Sequence, residues 1–215
     1  MKTFMYHLFK QIFRFFASFI YPIKIIHKKR IPKKSKHIVV SNHISWVDIL
    51  QLLIQTPGRR HMVAKKELQK SRFIRFWNKV TDLDIVWIDR ENFSLASVKK
   101  ILDLLKRGRA ICIFPEGTRN KESRELLELK SGTAVFAIKA KAPIVPVMIY
   151  ARPRVFRRNY VYVGEPFELS EFYDARLTPD LTARADALLR EHMLKEMENM
   201  DDYIQNKRWK RKNRL

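Results

Sequence analysis

Five short apolar runs punctuate the middle of the chain: HIVVS at 37–41, HMVA at 61–64, DIVWI at 84–88, AICIF at 110–114 and IVPVMI at 144–149. They are rich in β-branched residues and apolar almost throughout, the pattern of strands buried on both faces. Between them, apolar positions recur at helical spacing over 47–55, 67–79, 93–106 and 132–141. Strand alternating with helix predicts an α/β fold, a mostly parallel sheet covered by helices. YVYV at 160–163 reads as one more strand. Residues 180–199 read as a late helix with Leu181, Ala185, Leu188 and Leu189 on its apolar side.

The amino terminus follows a different pattern. Over residues 4–21, Met5, Leu8, Phe9, Ile12, Phe13, Phe15, Phe16, Phe19 and Ile20 share one broad arc of a helical wheel. Lys10, Gln11, Arg14, Ser18 and Tyr21 take the opposite arc, and Pro22 limits the helix. Lys10 and Arg14 break the apolar stretch, so neither a spanning helix nor a cleavable leader fits it. A phenylalanine-rich arc with a basic back suits a membrane interface. The segment 24–36 adds seven basic residues in thirteen, a charge suited to an anionic leaflet. The plainer alternative is a core helix followed by a solvated linker. The expected organisation is a membrane-associating amphipathic helix and basic segment at 1–35, one catalytic domain at 36–200 and a loose basic tail at 201–215.

Composition sharpens this picture. The 215 residues carry 44 Lys and Arg against 22 Asp and Glu, a net charge of +22. Acidic partners follow: nucleic acid, an anionic membrane surface or phosphorylated substrates. A single cysteine, Cys112, excludes a disulfide framework and a cysteine-rich zinc module. No metal-ligating constellation stands out.

Two chemically loaded turns follow predicted strands, where ligands collect in open α/β sheets. The first is Ser41-Asn42-His43-Ile44-Ser45-Trp46-Val47-Asp48. His43 in the loop and Asp48 in the first helical turn can meet, leaving one imidazole nitrogen free as a base. Ser45 and Asp48 also have capping-box spacing, so Asp48 as a mere cap remains open. The second turn is Pro115-Glu116-Gly117-Thr118-Arg119. Pro115 stops the strand ladder and Gly117 permits a tight path. Arg119 carries a planar fork suited to phosphate. Glu116 is placed to orient Arg119 or to meet an acceptor hydroxyl; a surface Glu–Arg pair is the bland alternative.

Taken together and in this order, the two turns resemble the glycerolipid acyltransferase family, which includes the 1-acylglycerol-3-phosphate acyltransferases. Asn42-His43 with Asp48 match its N-H-x-x-x-x-D motif, and Phe114 to Arg119 its F-P-E-G-T-R motif. Ile88-Asp89-Arg90 and Val145-Pro146-Val147 agree with two weaker blocks, and 64–68 and 130–132 with further segments. Asp84 stands where the family usually has glycine, and Asn120 where it usually has serine.

The resemblance implies a mechanism. His43 deprotonates the hydroxyl of lysophosphatidic acid, and Asp48 orients His43. The acyl group comes from acyl-CoA or acyl carrier protein as co-substrate, with no further cofactor, and the product is phosphatidic acid. Arg90 and Arg119 clamp the acceptor phosphate with Lys65 as a third cation, and Glu116, Gly117 and Thr118 complete the substrate-binding set. It also implies a monotopic or peripheral protein at the cytoplasmic face of a membrane. Acylation of another lysophospholipid in membrane remodelling uses the same dyad and is the alternative. A basic nucleic-acid-binding protein is the distant one, set aside because no such fold is recognisable and the charge adjoins a membrane-suited helix.

Overall fold

The run HIVV forms β2 (His37–Val40), AICI forms β5 (Ala110–Ile113) and IVPVMI forms β6 (Ile144–Ile149), and every residue in the three is buried. They are neighbours in the middle of a seven-stranded sheet of order β1-β7-β6-β2-β5-β3-β4, in a computed structural model that describes residues 2–33, 35–55, 60–70, 72, 85–88, 95–130 and 132–212. The remaining strands are β1 (Ile23–Ile26), β3 (Arg60–Lys65), β4 (Val86–Ile88) and β7 (Asn159–Val163). All neighbouring pairs are parallel except β6 with β7, so the sheet is mostly parallel, as its apolar runs predict.

Side chains alternate between two cores. Ile38, Val40, Ile111, Ile113, Ile144 and Met148 point to one face. That face is covered by α3 (Leu95–Lys106), α4 (Thr133–Ala140) and α5 (Pro179–Lys212). Val39, Cys112, Val145 and Val147 point to the other, against Ile31, Ile44, Leu52 and Leu53. The apolar stretch predicted as a helix over 47–55 is a short α2 (Val47–Leu50) that widens into a π-helical turn, Gln51–Gln55. Most of the predicted helix at 67–79 lies outside the described residues; Lys66–Lys70 is a 3-10 turn.

Both ends of the expected organisation need correction. The amino-terminal helix is present as α1 (Lys2–Ile20), with Phe15, Phe16 and Phe19 exposed and Ala17 turned inward. The basic segment after it, expected to precede a domain that starts at 36, belongs in part to the sheet. Ile23–Ile26 pairs with β7 as an edge strand, and Arg30 donates to the Val163 carbonyl at 2.9 Å and pairs with Glu165. Its alternation of lysine with isoleucine hides a strand in a segment dominated by charge. At the other end, α5 runs on to Lys212 in place of a loose tail from 201. Ala185, Leu189, Met193, Met197, Met200 and Ile204 form one buried stripe at three- and four-residue spacing, which keeps residues beyond 200 on the core.

Candidate active site

The carboxyl ends of β2 and β5 are adjacent, and each opens into one of the two motif turns. Asn42 fixes the first turn to the neighbouring strand. Its side-chain oxygen accepts from Ile149 N–H at 2.8 Å, and its amide donates to the Ile149 carbonyl at 3.0 Å. The next residue is held by the second turn: His43 N–H donates to Glu116 Oε1 at 2.8 Å, and the His43 carbonyl accepts from Asn120 N–H at 2.8 Å. The His43 ring lies flat on Phe114, centroids 3.9 Å apart and planes 16° apart. Two turns far apart in sequence therefore fix one imidazole.

His43 Nδ1 is 3.0 Å from Asp48 Oδ2. That same oxygen accepts from Ile44 N–H and Ser45 N–H, both at 2.7 Å, and Asp48 is fully buried. With Nδ1–H donated to the carboxylate, Nε2 keeps its lone pair in a ring that lines the cleft. Asp48 is more than a cap, because its carboxylate serves the helix entry and the imidazole together. Ser45 takes a smaller part than its spacing predicts. The helix begins at Val47, and Ser45 Oγ accepts a long 3.3 Å bond from Val47 N–H.

Phe114, Pro115, Glu116 and Gly117 form a β-turn closed by Gly117 N–H donating to the Phe114 carbonyl at 3.0 Å. Gly117 has φ 67, a conformation that favours glycine, and proline suits the second position of such a turn. Glu116 is 1 % exposed and sits behind the cleft. Its second oxygen accepts from Leu127 N–H at 3.0 Å, so both oxygens are occupied by backbone donors. Burial pushes its carboxyl above the ordinary value, and the bonds from Leu127 and His43 pull the other way. Among the described residues Glu116 thus spends its oxygens on backbone donors and makes no pair with Arg119. Its role here is to hold the two turns together.

The cleft has a volume of about 660 Å³. Ile49, Met62, Val63, Ile88, Ile113 and Phe136 give it an apolar wall, and His43, Gly117, Thr118, Arg119 and Lys65 stand along it. Arg119 lies over the Trp46 ring at 4.1 Å. Arg90 falls outside the described residues. Lys130 also lines the cleft, a cation quoted in the sequence only as part of a further segment. The loop that returns it, 119–130, has no periodic signal. It is pinned by Lys130 N–H to the Pro115 carbonyl at 2.8 Å, by Arg190 to the Leu126 carbonyl at 3.2 Å, and by Arg124 to Asp201. Asn120 organises its start, accepting from Glu122 and Ser123 N–H at 3.0 Å each. Among the described residues, no three His, Cys, Asp or Glu converge to hold a metal ion.

Comparison with known proteins gives the same direction. The family described as Acyltransferase matches residues 22–150. A 1-acyl-sn-glycerol-3-phosphate acyltransferase of Bacillus subtilis is 32% identical over 190 residues, 85% of this chain and 91% of its own. One from Borreliella burgdorferi is 27% identical over 194 residues, 83% of this chain and 73% of its own. Among solved structures, the 1-acyl-sn-glycerophosphate (LPA) acyltransferase PlsC from Thermotoga maritima superposes with a TM-score of 0.64 at 21% identity. The match covers 86% of this chain and 78% of that one, a likeness of fold.

Proposed function

The chain belongs to the acyltransferase family, and from that premise we propose that it acylates the free hydroxyl of lysophosphatidic acid to make phosphatidic acid. The observation that carries the reading is the His43–Asp48 pair at 3.0 Å on the wall of a cleft that also holds Arg119, Lys65 and Lys130. Among the described residues none of those three cations has a carboxylate partner, so their charge is available to a phosphate.

In the proposed reaction His43 Nε2 takes the proton of the acceptor hydroxyl as its oxygen attacks the thioester carbonyl. The tetrahedral intermediate collapses, the carbon–sulfur bond breaks, and the imidazolium returns the proton to the departing thiolate. Asp48 holds the ring and stabilises its cation while the proton is in transit. The step balances with acceptor and thioester alone. Either acyl-CoA or acyl carrier protein supplies that thioester, and the apolar wall of the cleft suits its acyl chain. The enzyme works from the surface of an anionic membrane, at its cytoplasmic face, through α1. No helix among the described residues is long and apolar enough to cross a bilayer.

The test is an esterification assay with a panel of lysophospholipids and both thioester classes in identical mixed micelles. Lysophosphatidate should give the highest kcat/KM, because a phosphomonoester offers more charge to the three cations than a phosphodiester does. A higher value for lysophosphatidylcholine or lysophosphatidylglycerol would favour the remodelling reading instead.

A further inference from the structure

The strand β6 ends at the same edge of the sheet as β2, and the chain leaves it through a loop, 151–158, before returning as β7. That edge carries His43. The loop reads Ala-Arg-Pro-Arg-Val-Phe-Arg-Arg, without one acid. It is firmly built. Asn159, buried, accepts from Arg154 N–H at 2.8 Å and donates to the carbonyls of Arg154 and Arg157 at 3.1 and 2.9 Å. It is also sewn to the end of α1: Phe156 N–H donates to the Ile20 carbonyl at 2.7 Å, and Asn159 N–H to the Pro22 carbonyl at 2.8 Å.

At the tip the side chains are on the wrong side for a folded core. Phe156 is 65% exposed and touches the Phe19 ring edge-on at 5.6 Å, and Phe19 is itself 71% exposed. Val155 beside it is exposed as well. Phe156 adopts φ 55, a region where asparagine or glycine is favoured and a bulky residue is a true outlier. An aromatic ring kept in a strained conformation, left mostly in water and touching only another exposed ring gains little from this fold, so its return lies in a contact outside it. Arg152, Arg154, Arg157 and Arg158 are exposed, and among the described residues none has a carboxylate partner. Lys24 of β1 is crowded by Lys207 and Arg158, which with burial pushes its amine below the ordinary value. Lys207 belongs to α5, whose later turns run toward this edge: Tyr203 meets His27, after β1, and Lys207 meets Lys24, nearer its start.

We propose that the 151–158 loop is a second membrane-docking element, with Val155 and Phe156 entering an anionic bilayer beside the phenylalanines of α1 and the four arginines meeting lipid phosphates. Apolar tips ringed by unpaired cations match the layering of such an interface, with acyl chains below and phosphates at the rim. Because the loop and the catalytic cleft share one edge, docking turns the site toward the lipid from which an acceptor would come. The inference deepens the membrane-associated reading of α1 and rests on it.

Vesicle partitioning tests it, using liposomes of phosphatidylcholine with and without about one third phosphatidylglycerol. Four full-length proteins are compared: the parent, Phe156→Asn, Arg154→Ser with Arg157→Ser, and Phe15→Ser with Phe16→Ser in α1. Asparagine suits the Phe156 backbone, so thermal stability should be kept or raised while partitioning falls about five- to tenfold. The arginine pair should lose roughly tenfold on anionic vesicles and little on neutral ones. If both loop variants bind like the parent while the α1 variant is released, the loop proposal is overturned and the α1 reading survives. If all four bind alike, both fail. Self-association by sedimentation that Phe156→Asn abolishes, with vesicle binding unchanged, would make this face a contact between copies and overturn the proposal too. A polarity-sensitive maleimide on Phe156→Cys gives a direct readout, since Cys112 is buried with its thiol pushed up to about 12 and does not compete. Its emission should shift to the blue on anionic vesicles. An unshifted emission from fully bound protein would place the loop outside the bilayer.

Discussion

At the scale of single residues, the site depends on a few hydrogen bonds whose loss has different signatures. His43→Ala removes the proposed base. Turnover should fall about 10²- to 10⁴-fold with the fold intact, measured as kcat beside a thermal unfolding curve. Asp48→Asn should lower kcat as well: with the amide oxygen in the place of Oδ2 the bonds from Ile44 and Ser45 N–H survive, but the neutral amide cannot stabilise the imidazolium. Arg119→Ala predicts a different split. KM for a phosphate-bearing acceptor should rise roughly 10- to 150-fold, as expected for a charged hydrogen bond worth about 1.5–3 kcal/mol, while KM for the thioester moves little. Equal changes in both would remove Arg119 from the acceptor site. Glu116→Gln tests the link between the turns. One oxygen becomes an NH2 opposed to a backbone N–H, so stability should drop about 1–3 kcal/mol by denaturant titration and kcat should fall with it.

At the scale of elements, α5 supports the second motif from behind. Arg190 holds the Leu126 carbonyl, Asp201 pairs with Arg124, and Leu126 is buried in the same core as the α5 stripe. Close approach of β7 to this helix depends on Gly164, where an added Cβ would lie 2.6 Å from Glu196 Cγ and Cδ. Glu196 is itself buried and accepts from Glu165 N–H at 3.1 Å. Gly164→Ala should therefore displace the carboxylate and cost about 1–3 kcal/mol, the range of overpacked sites. A melting temperature equal to the parent's would show that the Glu196 side chain yields freely. The late helix was legible as far as residue 199, where its heptad of apolar positions is obvious. Beyond it, Met200 and Ile204 carry the stripe, but charged neighbours dilute the pattern in any local window.

At the scale of the whole molecule, the ends of the strands away from the His43 edge set a pH limit. His37, at the start of β2, donates Nδ1–H to the Ser35 carbonyl at 2.8 Å, and among the described residues its buried Nε2 has no partner. Burial, with a smaller contribution from the Arg60 charge, lowers its value to about 4. Between its ordinary 6.5 and about 4 the unfolded chain binds a proton that the folded chain refuses. Stability should thus fall as pH drops through that window, by about 3 kcal/mol for this group, and the loss should level off below it. Titrating the unfolding free energy of the parent against His37→Asn isolates the contribution, since asparagine can still donate to Ser35 and all other groups are shared. Parallel slopes between pH 6.5 and 4 would exclude His37 as the source.

By itself the sequence determined the strands of the central sheet, because runs such as HIVV and IVPVMI have no other place than between two covered faces. It also singled out the two turns that meet at the cleft, since His43, Asp48 and the Phe114–Arg119 segment combine residue types that a plain turn does not need. Tertiary structure alone decided their arrangement. That Glu116 holds His43 by its backbone, rather than pairing with Arg119, follows from 73 residues of chain folding back to bring β5 beside β2. The same holds for Lys130, returned to the cleft through an aperiodic loop, and for Lys24 and Ile25, read as part of a basic membrane-associating segment outside the domain but completed as a strand by β7. Periodicity reports the face a residue shows to its immediate neighbours in sequence. Partners distant in the chain leave no mark on it, and they placed Phe114, Glu116 and Asn120 around the imidazole.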